Sequence, residues 1–334
     1  MHKKKLFLHL GYPKTGSTTL NEIIMPNIKG VKCFAPNTNY KFLRQNFDDE
    51  YLKYNYKIKV LLENFLYRDK EDKDIQEGLK TLKLIKEKRI FISTTGPMSS
   101  FFFKGLYAEK NCFLDSRFIS EKIKDVFGEF FDVSIIIIIR KQWTWIPSAY
   151  AEWHRSLDEK TFKQFTSKFI NENEQYHKGI DYYQTISGFE KNFSKENIFI
   201  STQEKLTTSS FDFYSSIIEF LGGEIEEEFI RNTKKRNNRS LHEGSKSIDS
   251  LDLIRFLSPF KLKYLPNMRF HTIKKYPWLL DIMSYIKMPY KDISKEINLS
   301  NGDISCLKKI YMKSNKKLSE KYNLNLQKME YFDI

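Results

Sequence analysis

The sequence predicts an α/β protein: a doubly wound, mostly parallel sheet with flanking helices and a helical C-terminal extension. Three observations predict it. The short apolar run Leu6–Leu10 passes straight into Gly11-Tyr12-Pro13-Lys14-Thr15-Gly16-Ser17-Thr18-Thr19 and then into a helical pattern, so a strand, a tight polar turn and a helix follow one another. Ile135–Ile139 is five isoleucines without polar alternation. β-Branching favours a strand there, and unbroken apolarity implies burial on both faces, as at the centre of a parallel sheet. Between these landmarks strand-like and helix-like segments alternate, the pattern of a doubly wound sheet.

Taken in order, strands are expected at Lys5–Leu10, Arg89–Thr94, Val133–Arg140 and Asn197–Ser201. Helices are expected at Ser17–Met25, Asp74–Lys88, Ser120–Phe127, Thr144–Arg155, Thr161–Asn171, Tyr182–Asn192 and Ser210–Leu221. From Glu224 the strand signal fades. Asp249–Leu257, Trp278–Ile286 and Ser305–Tyr322 read as helices, with Pro259, Pro266, Pro277 and Pro289 breaking the stretch between them. No repeat or long linker interrupts the chain. Residues 1–334 therefore read as a single domain, with an α/β core over 1–223 and a mainly helical part over 224–334.

The bulk numbers fit that size. With 334 residues, 40% hydrophobic and 15% aromatic, the chain can build one large core. Ile135–Ile139 is far shorter than a membrane span, and the apolar run behind Lys3-Lys4-Lys5 is too short for a signal-peptide core. The expectation is a cytoplasmic protein with room for peripheral contact at the inner membrane face. Three separated cysteines, Cys33, Cys112 and Cys306, suit reduced thiols and give neither a disulfide framework nor zinc spacing. The six histidines contain no HxxxH pair, so no metal is expected. The net charge of +14, with clusters at Lys234-Lys235-Arg236 and Lys316-Lys317, suits an anionic partner. A Lys- and Asn-rich composition spread over solvated faces accounts for it equally, and no nucleic-acid partner is expected.

The opening turn carries chemistry. A nucleoside triphosphate loop reads G-x-x-x-x-G-K-[ST]. Here Gly11 and Gly16 have that separation, but Ser17 stands in place of the lysine, and the loop's lysine is Lys14. The geometry still suits an anion. The Thr15–Thr19 amides open a helix N-terminus, whose unpaired N–H groups and positive dipole end favour phosphate oxygens. Gly16 permits close backbone approach, and Ser17, Thr18 and Thr19 add hydroxyl donors. The plainer alternative is a capped strand-to-helix turn with Thr15 or Ser17 as N-cap.

LHLGYPKTGSTTL resembles the 5′-phosphosulfate loop of sulfotransferases that use 3′-phosphoadenosine 5′-phosphosulfate (PAPS), where the loop has the form G-x-x-K-[ST]-G-[ST]-[ST]. A second segment, Ile135–Arg140 followed by Lys141-Gln142 and Trp145-Ile146-Pro147-Ser148-Ala149-Tyr150, is similar to the family's 3′-phosphate element. There an arginine ends a buried strand and a serine follows on the next helix. Weaker echoes are Asn197–Phe220 with Glu204 and Leu206, the polar stretch Arg236-Asn237-Asn238-Arg239-Ser240, and the Tyr311–Tyr331 pattern with Asn315 and Leu318. The last is similar to the end of bacterial carbohydrate-type members.

The resemblance implies a P-loop-like sulfotransferase fold and a PAPS-dependent sulfotransferase, with PAPS or its spent form PAP bound by Lys14, Thr15, Gly16, Ser17, Thr18, Thr19, Arg140, Ser148 and Arg239. Lys14 would be catalytic, stabilising the leaving phosphate without a metal. The implied acceptor is a hydroxyl or amine of a carbohydrate or glycolipid. Members of the family use a histidine or glutamate as base near the strand that resembles Arg89–Thr94, and this chain reads Ser93-Thr94-Thr95-Gly96-Pro97 there. Glu152, one helical turn past Ser148, is ranked just ahead of Glu22, with Glu109 and His154 also in view. The acceptor pocket is expected from variable loops such as Asn37–Lys73 and Leu241–Lys295. Two other classes stay open. A nucleotide kinase or NTPase would need a lysine at Ser17 and an acidic metal ligand ending a strand. An inactive anion- or glycan-binding module needs no base at all.

Overall fold

The computed structural model of the chain describes residues 3–36, 40–94, 115–153, 161–171, 175–240 and 297–333. Among the described residues five strands form one sheet, all neighbours parallel: β1 (Lys4–His9), β2 (Lys32–Phe34), β3 (Arg89–Ser93), β4 (Phe131–Ile139) and β5 (Ile198–Thr202). Their order across the sheet is β2-β3-β1-β4-β5. β1 is central, and its register places Leu8 beside Ile135 on one side and Ile92 on the other. Ile135–Ile139 are all fully buried, which is why this stretch lacks polar alternation.

Helices fill the crossovers. α1 (Ser17–Thr19) runs on through a π-helical turn (Leu20–Ile24) and a 3-10 turn (Met25–Asn27). The single helix expected over Ser17–Met25 is thus divided, and Pro26, without an N–H, cannot carry the i→i−4 ladder onward. α2 (Tyr40–Asn46), α3 (Asp49–Asn64) and α4 (Lys73–Leu84) precede β3, and α5 (Ser116–Phe127) precedes β4. α6 (Gln142–Trp153), α7 (Phe162–Ile170), α8 (Gln175–Gly179) and α9 (Tyr182–Phe189) lead to β5. α10 (Gln203–Thr208), α11 (Ser210–Leu221), α12 (Glu227–Ser240) and α13 (Asn301–Tyr322) follow. Side chains fix several starts. Asp48, Asp115, Thr161, Asp181 and Ser300 accept from a backbone N–H two or three residues on, Thr161 and Ser300 as full capping boxes.

The expected strands and most expected helices are present with ends shifted by a few residues. The segment expected as a variable loop, Asn37–Lys73, instead contains α2 and α3. Tyr51, Asn55, Ile58, Leu61 and Leu62 form the buried stripe of α3 at helical spacing. A polar residue within that stripe and tyrosines outside it hide the period in the sequence. β2, three residues long, gave no pattern to read. The helices expected at Asp249–Leu257 and Trp278–Ile286 lie outside the described residues.

One apolar cluster pins the opening helical segment to the sheet: Phe7, Phe91, Ile136 and Ile138 from strands meet Leu20, Ile24 and Met25, and Tyr214, Ile217 and Leu221 of α11. The chain divides into two compact units, Met1–Lys234 with Ser294–Ile334, and Lys235–Ile293. In the second unit the described part is the last turns of α12.

Candidate functional site

The opening loop lies at the carboxyl end of β1, where open α/β sheets bind ligands. Leu10 N–H still donates to the Ile136 carbonyl at 3.0 Å, and the chain then leaves the sheet. Tyr12 turns inward and is fully buried. Its hydroxyl donates to the Gly179 carbonyl at 2.9 Å and lies 3.1 Å from Thr185 Oγ1. Its ring meets Trp145 and Tyr182 edge-on at 6.2 and 5.1 Å. Tyr12 is thus the anchor of the loop, a role its sequence context did not advertise.

Three successive loop carbonyls are held by side-chain donors. Thr15 Oγ1 donates to Tyr12 O at 2.5 Å, Trp145 Nε1 to Pro13 O at 2.8 Å, and Arg140 Nη1 to Lys14 O at 3.1 Å. Each oxygen so bound is one fewer bare acceptor to repel an anion in the loop. Lys14 itself has φ 65°, in the left-handed region, and an exposed side chain. Two residues on, Gly16 has φ 95° and serves as the N-cap without any side-chain cap. A Cβ at Gly16 would also lie 2.6 Å from Leu206 Cδ2. Neither Thr15 nor Ser17 caps the helix, so the plainer alternative for this loop is not what the chain builds. The Thr15 hydroxyl is spent within the loop. Ser17 and Thr19 are half-buried and Thr18 is exposed, at the first turn of the helix.

Arg140 follows β4 directly and is half-buried. Besides reaching Lys14 O, it donates from Nε to Thr144 Oγ1 at 3.1 Å. Burial lowers its pKa, and the Glu204 carboxylate opposes that shift. The two segments identified separately in sequence, the opening loop and the strand-end arginine, are therefore brought into direct contact. Ser148 lies in the second turn of α6, half-buried, next to Pro147. Glu152 also falls on α6. Glu22 is half-buried on the π-helical turn, and burial raises its pKa. Arg239 falls in α12, so the stretch Arg236–Ser240 is helical rather than a loop. The side chains of Glu152 and Arg239, and the residues Glu109 and His154, are outside the described residues.

His9, which the sequence did not single out, and Glu204, named only within a weaker echo, also shape this end of the sheet. His9, the last residue of β1, is fully buried with Nδ1 2.8 Å from Ser93 Oγ on β3, and its Nε2 has no hydrogen-bond partner among the described residues. Burial lowers its pKa from 6.5 to about 4, so the imidazole is neutral at pH 7. Its ring packs against Gly11, where a Cβ would come within 2.4 Å of Nε2. Glu204, after β5, accepts from Lys141 N–H at 2.9 Å and from Tyr331 OH at 2.7 Å. An acidic group near a strand end is what an NTPase needs for its metal, but both oxygens of this one are engaged by the protein. Among the described residues no three His, Cys, Asp or Glu side chains cluster as a metal site would require, and no helix is long and apolar enough to cross a membrane.

No protein-family model matches the chain. No curated protein matches it in sequence. Solved structures similar to it include a sulfotransferase from Alicyclobacillus acidocaldarius, 14% identical with a TM-score of 0.43, covering 80% of this chain and 98% of that one. A mouse sulfotransferase complexed with PAP is 15% identical with a TM-score of 0.41 over 88% of each chain. The sulfotransferase domain of the Synechococcus PCC 7002 olefin synthase is 12% identical with a TM-score of 0.37, covering 95% of this chain and 96% of that one.

Proposed function

We propose that the chain is a PAPS-dependent sulfotransferase that moves the sulfuryl group to a hydroxyl or amine of a carbohydrate or glycolipid. The observation that carries this reading is the contact between Arg140 and the Lys14 carbonyl. It sets a guanidinium at the end of β4 against a loop whose lysine precedes the second glycine, so that one ligand with phosphates at two positions would meet both. A guanidinium grips a phosphate with two parallel bonds, and Ser148 would add a donor to the 3′-phosphate. The first-turn amides, with the Ser17, Thr18 and Thr19 hydroxyls, would hold the 5′ end.

In the transfer the acceptor oxygen or nitrogen bonds to sulfur as the bond from sulfur to the 5′-phosphate oxygen breaks. Negative charge grows on the leaving phosphate, and Lys14, exposed at the loop, supplies the compensating charge. The acceptor proton goes to a carboxylate, Glu22 or Glu152. Glu22 has the environment suited to a base, since a raised carboxyl pKa moves proton affinity toward the working pH. Tyr311, Asn315 and Leu318 are buried in α13 packing, so the carbohydrate acceptor class is supported by sequence resemblance rather than by an exposed surface. Arg239 belongs to the same reading as a further nucleotide contact. Turnover of PAPS labelled in its sulfuryl group, with a panel of glycan and glycolipid acceptors, tests the proposal. Transfer to any of them supports it. Tight PAP binding with no transfer would leave a binding module, and metal-dependent hydrolysis of nucleoside triphosphates would overturn it.

A further inference from the structure

The C-terminal tail locks the β4–α6 turn through a buried carboxylate. After α13 the chain reverses at Asn323, which has φ 54°, and runs back along the core. Within the tail Leu326 O accepts from Tyr331 N–H at 3.0 Å, closing a turn, and Asn315 Nδ2 donates to Tyr331 O at 3.2 Å, tying the tail to α13. Asn315 also faces Gln142 at the start of α6, with Gln142 Nε2 donating to Asn315 Oδ1 at 3.1 Å. From this docked tail the Tyr331 hydroxyl donates to Glu204 Oε2 at 2.7 Å, while Glu204 Oε1 accepts from Lys141 N–H at 2.9 Å. The residue before Lys141 is Arg140, whose carbonyl accepts from Tyr182 OH at 2.6 Å. Both sides of the Arg140–Lys141 peptide are therefore held by buried groups from other elements. Lys141 Nζ adds an ion pair to Glu330, at 3.2 Å.

We infer that Tyr331 and Glu204 are positioning residues for nucleotide selection: they fix the backbone from which Arg140 reaches a 3′-phosphate, and the tail thereby sets the preference for nucleotides that carry one. This rests on the proposed function. The physical reason is that a guanidinium aimed at a phosphate gains its directional bonds only if its own backbone is fixed. Only Arg140 and Lys141 lie between β4 and α6, and the Arg140 side-chain bonds to Thr144 and Lys14 O do not hold that backbone. Both hydroxyls in the clamp stay donors, since burial raises the pKa of Tyr182 and of Tyr331 well above the tyrosine value. The 5′ end of the nucleotide would meet the opening loop, which has anchors of its own in Tyr12 and Trp145 besides the Arg140 bond to Lys14 O.

The test compares PAP with adenosine 5′-monophosphate, which lacks the 3′-phosphate, by titration calorimetry against the full chain and the variants Tyr331→Phe, Glu204→Ala and Glu204→Gln. Tyr331→Phe removes one hydroxyl and keeps the ring in place. It should weaken PAP about fivefold to tenfold, less than the full contribution of a buried charge-assisted hydrogen bond because this one acts on the ligand only through the Arg140 backbone, and leave the monophosphate within about twofold. Glu204→Ala should do more. Glu204→Gln, which keeps an acceptor for Lys141 N–H, should recover most of the preference. A tail with a purely structural role would lower melting temperature and weaken both nucleotides together, and that outcome overturns the inference. So does unchanged PAP affinity in Tyr331→Phe and Glu204→Ala. If the wild-type chain itself does not prefer PAP, the proposed function falls first and the positioning role with it.

Discussion

Arg140 Nη1 lies 3.1 Å from the carbonyl oxygen of Lys14, although 126 positions separate the two residues. The contact joins the end of β4 to the loop after β1, the two neighbouring central strands. It means that any ligand in this loop sits beside a cation supplied by the adjacent strand.

Lys14→Ala should abolish sulfuryl transfer while leaving the melting temperature close to wild type. The side chain is exposed, so its removal opens no cavity. A contact made mainly as charge develops in the transition state is worth roughly 3 kcal/mol, or about two orders of magnitude in rate. Single-turnover measurements with labelled PAPS check this, and activity within about threefold of wild type would remove Lys14 from the mechanism.

Gly16→Ala should cost both stability and nucleotide binding. At φ 95° an L side chain is strained by about 1–2 kcal/mol, and the new Cβ would press on Leu206 Cδ2. Chemical denaturation of Gly16→Ala, Leu206→Ala and the double variant separates the two effects. The double variant should be more stable than the sum of the single losses predicts, because the shorter side chain relieves the clash but not the backbone strain. Additive losses would mean that Leu206 does not constrain this turn.

The loop was legible because its chemistry is local: Gly11, Lys14 and Gly16 carry their meaning within six residues. β4 was legible because five isoleucines in a row leave few alternatives to a buried strand. The partners of these elements were not legible, since Tyr12 to Gly179, Trp145 to Pro13 and Tyr331 to Glu204 each join positions more than 100 residues apart. Nothing in the residues near Glu204 distinguishes a buried clamp from a solvated helix charge. α3 was missed for a different reason, because Asn55 interrupts its apolar stripe and is buried with it.

His9 should make the fold sensitive to acid. Its pKa is lowered from 6.5 to about 4 by burial, so the unfolded chain takes up a proton that the native chain refuses. Its contribution is complete above pH 6.5 and is lost progressively as pH falls toward 4. Integrated over that window the loss is about 3 kcal/mol. Denaturation midpoints measured between pH 7 and pH 4 should fall for the wild type and fall less for His9→Asn. Parallel curves for the two proteins would show that His9 is not the group that titrates.

Arg140→Ala should separate the two ends of the nucleotide. The guanidinium is half-buried and keeps its charge, and its partners among the described residues are a hydroxyl and a carbonyl rather than an anion in direct contact. A 3′-phosphate would supply that anion, and a charge-assisted bidentate pair in partly dehydrated surroundings is worth roughly 2–4 kcal/mol. PAP affinity should therefore fall by about 30-fold to several hundredfold, whereas adenosine 5′-phosphosulfate, lacking the 3′-phosphate, should weaken much less. Some weakening of the second ligand is expected, because the variant also frees the Lys14 carbonyl. Ser148→Ala should act in the same direction to a smaller degree. PAP should raise the wild-type melting temperature in the presence of EDTA, by mass action on the native state, and the rise should shrink with salt as exposed charges are screened. Equal weakening of both ligands by Arg140→Ala would remove Arg140 from the 3′-phosphate and leave its bond to Lys14 O as a purely structural brace of the loop.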